Sequence, residues 1–379
     1  KYFIAVIIVV LPIFLIAGNI VYPWRAVPAF ALSGKNFYTL YNNINYTAID
    51  SVVLIGPYNR VALNIDSVII GRFEYDSFTN KDVNNKIWVT VPESSPEELY
   101  DLVVFSGGET HLSPKSVKVL RHFSPAHCFI HISDPHISRQ WQGTAENGYA
   151  KELELLDKFI DVANIIAPDF IIVTGDIIMH YTRLDADPDG WGGIKLYDAD
   201  QRPLVEEKYK NYFEGAKGFS GIQAFNSPVF SLPGNHDSYG VPRDDYQAMA
   251  RQWNAMCGLR VYGFSYGETR VLSADDYLGD PVTDIPDSSP MSGLQGKILE
   301  SFLEENGPGK IRIMAQHRPD RIDTSFLDRH KINILLNGHR HNPHHEYVGT
   351  TPTLSARPGT VCRSGELRNQ QWKENLGFF

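Results

Sequence analysis

The chain has 379 residues, and its 43% hydrophobic, 12% aromatic and 21% charged composition excludes disorder, collagen and a polytopic membrane protein while leaving room for two or three domains. With 35 Lys plus Arg against 44 Asp plus Glu, the formal charge of -9 offers no general attraction for nucleic acid or anionic lipid, so an anionic substrate must be captured locally. Cys128, Cys257 and Cys362 allow one disulfide at most and show no zinc-finger spacing.

In chain order, Tyr2 to Trp24 carries no charge and Tyr2 to Ala17 is unbroken apolar sequence, close to the roughly 20 residues that cross a bilayer. Residues 1–24 are therefore expected to form a hydrophobic helix, acting as a membrane anchor or as a cleaved signal, with a buried core helix as the third reading. Either of the first two places the body outside the cytoplasm, membrane-anchored or secreted. The start at Lys1 and the strand-like Leu376–Phe379 read as the ends of a piece of a longer chain.

Residues 25–123 show short alternating apolar runs, such as Ser51–Ile55 and Lys86–Val91, separated by Asn, Asp, Gly and Pro clusters. That spacing predicts a small all-β sandwich of immunoglobulin-like type, and Tyr100, early in a strand after the Pro96 turn, resembles a tyrosine corner. Asn45-Tyr46-Thr47 is a glycosylation sequon. From 124 to 379 apolar strand-like runs alternate with helical patterns at Ala150–Ile166, Tyr246–Met256 and Leu294–Glu304, which predicts an α/β domain.

Five of those runs end in residues able to bind a cation. Phe129–Ser133 leads into Asp134-Pro135-His136, Phe170–Thr174 into Gly175-Asp176, and Val229–Pro233 into Gly234-Asn235-His236-Asp237. Ile311–Ala315 leads into Gln316-His317, and Ile332–Leu336 into Asn337-Gly338-His339-Arg340-His341. Ligands at the carboxyl ends of strands share one crevice, and Gly175, Gly234 and Gly338 allow the close backbone approach that this requires. Mixed imidazole and oxygen donors suit zinc, iron or manganese. The donors are too many for one tetrahedral ion and suffice for two ions sharing a bridging carboxylate.

The ordered set D-x-H, G-D, G-N-H-D, H, G-H-x-H over residues 134–341 resembles the calcineurin-like metallophosphoesterase superfamily. The resemblance implies a four-layer α-β-β-α sandwich with a dinuclear centre between its sheets. It implies one ion on Asp134, His136, Asp176 and His341, and a second on Asp176, Asn235, His317 and His339, with Asp176 bridging. His236 then faces the substrate as a general acid, and Asp237 is the candidate to orient it, because Met179 stands where some branches carry the orienting Asp. Purple acid phosphatases carry a Tyr at that position, so Met179 argues against that branch. The implied activity is hydrolysis of a phosphate monoester or diester through a metal-bound hydroxide. Its rivals are a non-catalytic metal-binding module on the same fold, and a nuclease, which the acidic balance disfavours.

Arg340 and His180 are candidate substrate contacts, while His344 and His345 read as a solvated loop and His131 as a structural core residue. Asp185, Asp187 and Asp189 match the first half of a calcium loop, but Leu196 stands at its twelfth position, so an acidic surface turn competes with calcium binding. The long connector from His180 to Ser227 is a candidate lid or specificity loop.

Overall fold

The structure is a computed structural model of the 379-residue chain, and it describes residues 20–43, 47–71, 73, 83–137, 150–178, 202–237, 253–276, 293–318, 321, 323–340 and 344–356. Residues 1–19, Asn45 of the sequon, His180, the Asp185–Asp189 stretch and His341 lie outside the described residues.

Eight strands form the amino-terminal unit: β1 (Ile20–Tyr22), β2 (Ala29–Leu32), β3 (Asn36–Tyr41), β4 (Ile49–Ile55), β5 (Arg60–Ile70), β6 (Asn85–Thr90), β7 (Leu99–Ser106) and β8 (Glu109–Leu120). They hydrogen-bond in the order β1-β3-β6-β5-β4-β7-β8-β2, so they form one continuous sheet rather than the two separate sheets expected of an immunoglobulin-like sandwich. Strand β5 pairs with both β4 and β6, and a register shift between Ile65 and Ser67 lets it pass from one half to the other. Alternate residues of both halves, among them Phe37, Val52, Ile87, Leu102 and Val117, close on one apolar core. Tyr100 is buried and its hydroxyl donates to the Pro96 carbonyl at 3.0 Å, the bond that a tyrosine corner makes.

This sheet also corrects the boundary at residue 24. Ile20–Tyr22 pairs with β3, Trp24 bridges to Val27, and Ile20 and Trp24 are buried in the sheet's core. An uncharged run carries no mark of where its neighbour's core begins, so its last five residues read as an extension of the preceding segment. Among the described residues no helix is long and apolar enough to cross a membrane.

The second unit contains β9 (Phe129–Ile132), helix α1 (Ala150–Ile166), β10 (Phe170–Thr174), helix α2 (Arg202–Glu214), the short hairpin β11 (Gly215–Ala216) and β12 (Phe219–Ser220), and β13 (Val229–Leu232). It continues through β14 (Tyr262–Tyr266), β15 (Thr269–Ser273), helix α3 (Leu294–Asn306), β16 (Ile311–Ala315), helix α4 (Thr324–Arg329), β17 (Ile334–Asn337), β18 (His344–Val348) and β19 (Thr351–Ser355). Strands β13-β10-β9 form a parallel sheet, and β14-β15-β16-β17-β19-β18 form a mixed one. Strands buried on both faces need continuous apolar runs, and Phe170–Thr174 and Val229–Leu232 are buried throughout.

The two sheets face each other across Phe170, Ile172, Phe230 and Leu232 on one side and Phe264, Val271, Ile313 and Leu336 on the other. Phe230 and Phe264 stack at a centroid distance of 3.6 Å. Helices cover the outer faces. Leu153, Leu156, Phe159, Ile160 and Ala163 of α1 recur at helical spacing against Ile171 and Val173, while Leu299 and Leu303 of α3 pack with Leu272, Met314 and Leu335. The layers therefore run α-β-β-α. Helix α2 belongs to this cover, since Val205, Tyr209, Tyr212 and Phe213 are buried. Of the expected lid or specificity loop over residues 180–227, residues 180–201 lie outside the described residues, and Arg202–Glu214 forms a packed helix. The tyrosines and Phe213 sit at positions 4, 7 and 8 after Val205, a helical period that composition alone hides.

Phe30 of β2 ties the two units together. Its ring lies 5.1 Å from Tyr266, 5.8 Å from Phe230 and 6.3 Å from Phe170, at the end of the intersheet core where the parallel strands β10 and β13 begin. Beside it, Ser231 N–H donates to the Ala26 carbonyl at 2.8 Å, and the Arg25 guanidinium stacks 3.9 Å from the Phe213 ring. The carboxyl ends of the same strands remain clear for the site.

Candidate metal centre

Each parallel strand delivers its polar residues two to four positions beyond its end, so the turn that follows must be sharp. Asp134, His136, Asp176 and His339 all adopt positive φ, at 54°, 49°, 52° and 68°. Left-handed backbone is uncommon outside glycine, although Asp and His tolerate it better than most, and four cases gathered at the ends of β9, β10 and β17 mark a place where function outweighs local preference. Two glycines make room. A Cβ on Gly234 would lie 2.3 Å from both the amide nitrogen and Oδ1 of Asp176, and one on Gly338 would lie 1.8 Å from Ser133 Oγ and 2.6 Å from Asp134 Oδ2.

Asp176 occupies the centre. Its Oδ1 accepts the His236 backbone N–H at 2.7 Å, while Oδ2 is buried and accepts no well-formed hydrogen bond from the described residues. Three imidazoles aim Nε2 at that oxygen: His317 at 3.1 Å, His136 at 3.7 Å and His236 at 3.9 Å. The donor atoms of His136, Asp176 and His236 form one group within 4.8 Å of one another, and those of Asp176, His317 and His339 form a second. The two triads share one carboxylate. Asp134 stands beside the first with Oδ1 3.5 Å from His136 Nε2, and its Oδ2 accepts the His339 backbone N–H at 3.2 Å. Asn235 joins the second, its Oδ1 3.0 Å from His317 Nε2.

His317 shows how its ligating tautomer is set. Its Nδ1 lies 2.6 Å from the Thr174 carbonyl, an acceptor that obliges this nitrogen to carry the proton and leaves Nε2 with a lone pair facing Asp176. The electrostatics agree with a cation pocket. Burial alone would raise the Asp176 carboxyl, but the imidazoles of His317, His236 and His136 hold it well below the usual carboxylate range. Burial would lower His317, yet the Asp176, Asp134 and Asp276 carboxylates drive it up to about 10. His339, half-buried and next to His317, falls to about 4. Such an excess of buried negative charge is costly without cations, and a bound cation takes the place of the extra proton on the imidazole. Buried imidazole, carboxylate and amide oxygen donors around Asp176 Oδ2 fit divalent or trivalent ions of the zinc, iron or manganese type.

The remaining sequence candidates divide. His236 is only 6% exposed and its ring stands edge-on to His136 with centroids 4.6 Å apart, closer to the ligand cluster than a purely substrate-facing residue needs to be. Asp237 does not orient it. Its Oδ2 accepts the N–H groups of Gly234 at 2.8 Å and Ile177 at 3.2 Å, and its Oδ1 accepts that of Ile178 and the Tyr209 hydroxyl, each at 3.2 Å. Asp237 therefore clamps the turns after β10 and β13, because three backbone donors converge where its side chain folds back. Burial, then the charge of Asp176, push its carboxyl up to about 7 against those donors. Arg340 is turned to Glu346, with Nη1 3.0 Å from Oε1. His344 and His345 belong to exposed edge strand β18 rather than a loop. His131 Nε2 sits 2.9 Å from Thr174 Oγ1, as a structural residue would.

One acidic residue escaped the sequence reading. Asp276 is buried, and its Oδ2 accepts the Arg318 backbone N–H immediately after His317. Its signal was present: Val271–Ala274 is a sixth apolar run, and it ends in Asp275-Asp276.

The sequence model of the calcineurin-like phosphoesterase family matches residues 129–343, more than half of the chain. The chain belongs to this family. Calcineurin-like phosphoesterases hold a dinuclear metal centre, and the two triads joined at Asp176 lie within the matched residues. Among solved structures, the chain is similar to a purple acid phosphatase from yellow lupin, Lupinus luteus, at 13% identity and a TM-score of 0.46. That match covers 88% of this chain, which spans 64% of the lupin protein's length. A dimetal phosphatase from Danio rerio matches at 15% identity over 62% of this chain and 89% of its own, with a TM-score of 0.38. Similarity at this level carries no argument beyond the family itself. No curated protein sequence matches the chain.

Proposed function

We propose that this calcineurin-like phosphoesterase hydrolyses a phosphate monoester or diester at the pocket centred on Asp176. The observation that carries the reading is the single buried carboxylate shared by two imidazole-containing triads. Asp134, His136 and Asp176 would hold one ion, with His341 as the further ligand expected from the sequence, and Asp176, Asn235, His317 and His339 the other. Bound ions would supply charge neutralisation for the phosphoryl group and a lowered pKa for the attacking water. The chain's own residues do the rest. Thr174 fixes the His317 tautomer, Asp237 holds the two glycine turns, and Asp176 fixes the spacing between the subsites.

His236 donates the proton that the leaving alkoxide needs, held in place by its backbone bond to Asp176. Its nearness to Asp176 also favours a second reading, in which it ligates the first ion. Arg340 reaches the phosphate by exchanging Glu346 for it; their pair is surface-exposed and such pairs are worth at most about 1 kcal/mol, so the exchange is cheap. Metal content by elemental analysis, with assays on aryl monoester, aryl diester and nucleotide substrates, tests the whole reading. A protein that retains two ions and hydrolyses none of them would support the non-catalytic module instead.

The unbroken apolar run from Tyr2 to Ala17 supports a location outside the cytoplasm, with the body held to a membrane or released from it. Because β1 begins at Ile20, the separable segment is 1–19 and not 1–24. Removing residues 1–19 should release active protein from a carbonate-resistant membrane fraction; full-length protein recovered from the soluble cytoplasm would refute the location.

A further inference from the structure

We infer that Asp276 is a positioning residue for the His317–His339 half of the centre, an outer carboxylate that fixes His317 and presents negative charge to the cation held there. The inference rests on the dinuclear reading above. Strand β15 lies beside β16 in parallel register, with Ser273 opposite Ala315, and the ladder continues one step further because Ala274 N–H donates to the Ala315 carbonyl at 3.0 Å. Residues 275 and 276 are thereby carried alongside 316 to 318. Asp276 Oδ2 accepts the Arg318 N–H, which fixes the peptide that follows His317.

The other oxygen makes the arrangement more than a loop cap. Asp276 is 1% exposed, and its Oδ1 is buried and accepts no hydrogen bond from the described residues. A buried carboxylate with an unsatisfied oxygen is normally costly and persists where a cation or a donor is meant to face it. Its own segment cannot swing away to water. Asp275 N–H donates to Gln295 Oε1 at 3.0 Å, Gln295 Nε2 returns a bond to the Asp275 carbonyl at 2.7 Å, and Arg260 Nη1 lies 2.5 Å from Asp275 Oδ2. Gln295 belongs to α3, so a helix on the outer face holds the acid against the centre. Partners behind a metal's ligands set ligand orientation and basicity, and their loss typically weakens binding 10- to 100-fold.

The experiment is a zinc titration of the metal-stripped full chain, read by calorimetry and by equilibrium dialysis, for wild type, Asp276→Asn and Asp276→Ala, with thermal melting of each stripped protein. The isosteric Asn preserves an acceptor for Arg318 N–H and removes the charge. The wild type should bind two zinc ions. In Asp276→Asn one site should weaken at least about 10-fold while the other stays within about twofold, and Asp276→Ala should weaken the same site further. Should the Ala variant fail to fold, the Asn variant decides alone. Two sites of unchanged affinity in Asp276→Asn, or equal weakening of both, would overturn the assignment. A wild type that binds no zinc or only one ion would remove the dinuclear reading first, a result distinct from failure of Asp276's role.

Discussion

Replacing Gly234 with Ala adds one methyl group at the most crowded point of the centre. Gly234 needs no left-handed backbone, so the effect is steric alone. The new Cβ would stand 2.3 Å from Asp176 N and Oδ1 and 2.9 Å from its Cγ. Ordinary contact begins near 3.4 Å, so the two turns must part by about 1 Å, as in other overpacked sites, at roughly 1 to 3 kcal/mol. Asp176 cannot absorb the shift by rotating, because Oδ1 is held by the His236 N–H and Oδ2 is faced by three imidazoles. A misplacement of about 1 Å at reacting groups costs on the order of 100-fold in rate. Gly234→Ala should therefore melt a few degrees lower, lose at least one metal ion and fall about 100-fold or more in kcat/KM for an aryl phosphate. Gly108→Ala is the control. It sits in the β7–β8 turn at φ 81° with open space around its Cβ, so it should lose about 1 to 2 kcal/mol of stability with its metal content intact. Retention of two ions and a rate within threefold of wild type in Gly234→Ala would refute the geometry proposed for the bridging carboxylate.

Asp176→Asn removes the shared anion and should lose at least one ion with nearly all turnover; elemental analysis beside a rate assay checks it. His236→Ala should keep both ions and slow alkyl phosphates by about 100-fold or more while sparing nitrophenyl phosphates; loss of an ion would make His236 a ligand, and equal slowing of both substrates would end its acid role. Phe30 is partly buried where the two units meet, so Phe30→Ala should destabilise the whole chain by less than a fully buried Phe would, about 2 to 3 kcal/mol, in a single unfolding transition; two separated transitions would show that the units are independent. His131, desolvated by burial, titrates at about 4 in the folded chain against about 6.5 unfolded. Below pH 6.5 the unfolded chain binds the proton first, so stability is lost as pH falls from 6.5 to 4, by at most about 3 kcal/mol. Urea midpoints at pH 7 and 5 should show a smaller acid loss for His131→Asn than for wild type.

Much of this protein can be read along the chain because its chemistry is carried by short local patterns. A buried parallel strand needs an unbroken apolar run, and the residue beyond its last ladder bond must face the crevice, so Asp134, Asp176, Asn235, His317 and His339 announce themselves at the ends of β9, β10, β13, β16 and β17. Only the tertiary structure decided what those patterns leave equal. Asp237 follows a histidine that sequence would have it orient, yet its carboxylate folds back onto three N–H groups from two different turns, a convergence set by sheet packing. Ile20 and Trp24 continue an apolar run, but the sheet claims them, since hydrophobicity specifies burial and not the partner. Asp276 lies 41 residues before His317 and meets it through the β15–β16 register, a relation that exists only once the strands have paired. Local sequence supplies the donors and the turns; which donors share an ion, and which acid stands behind them, follows from parallel register between strands far apart in the chain.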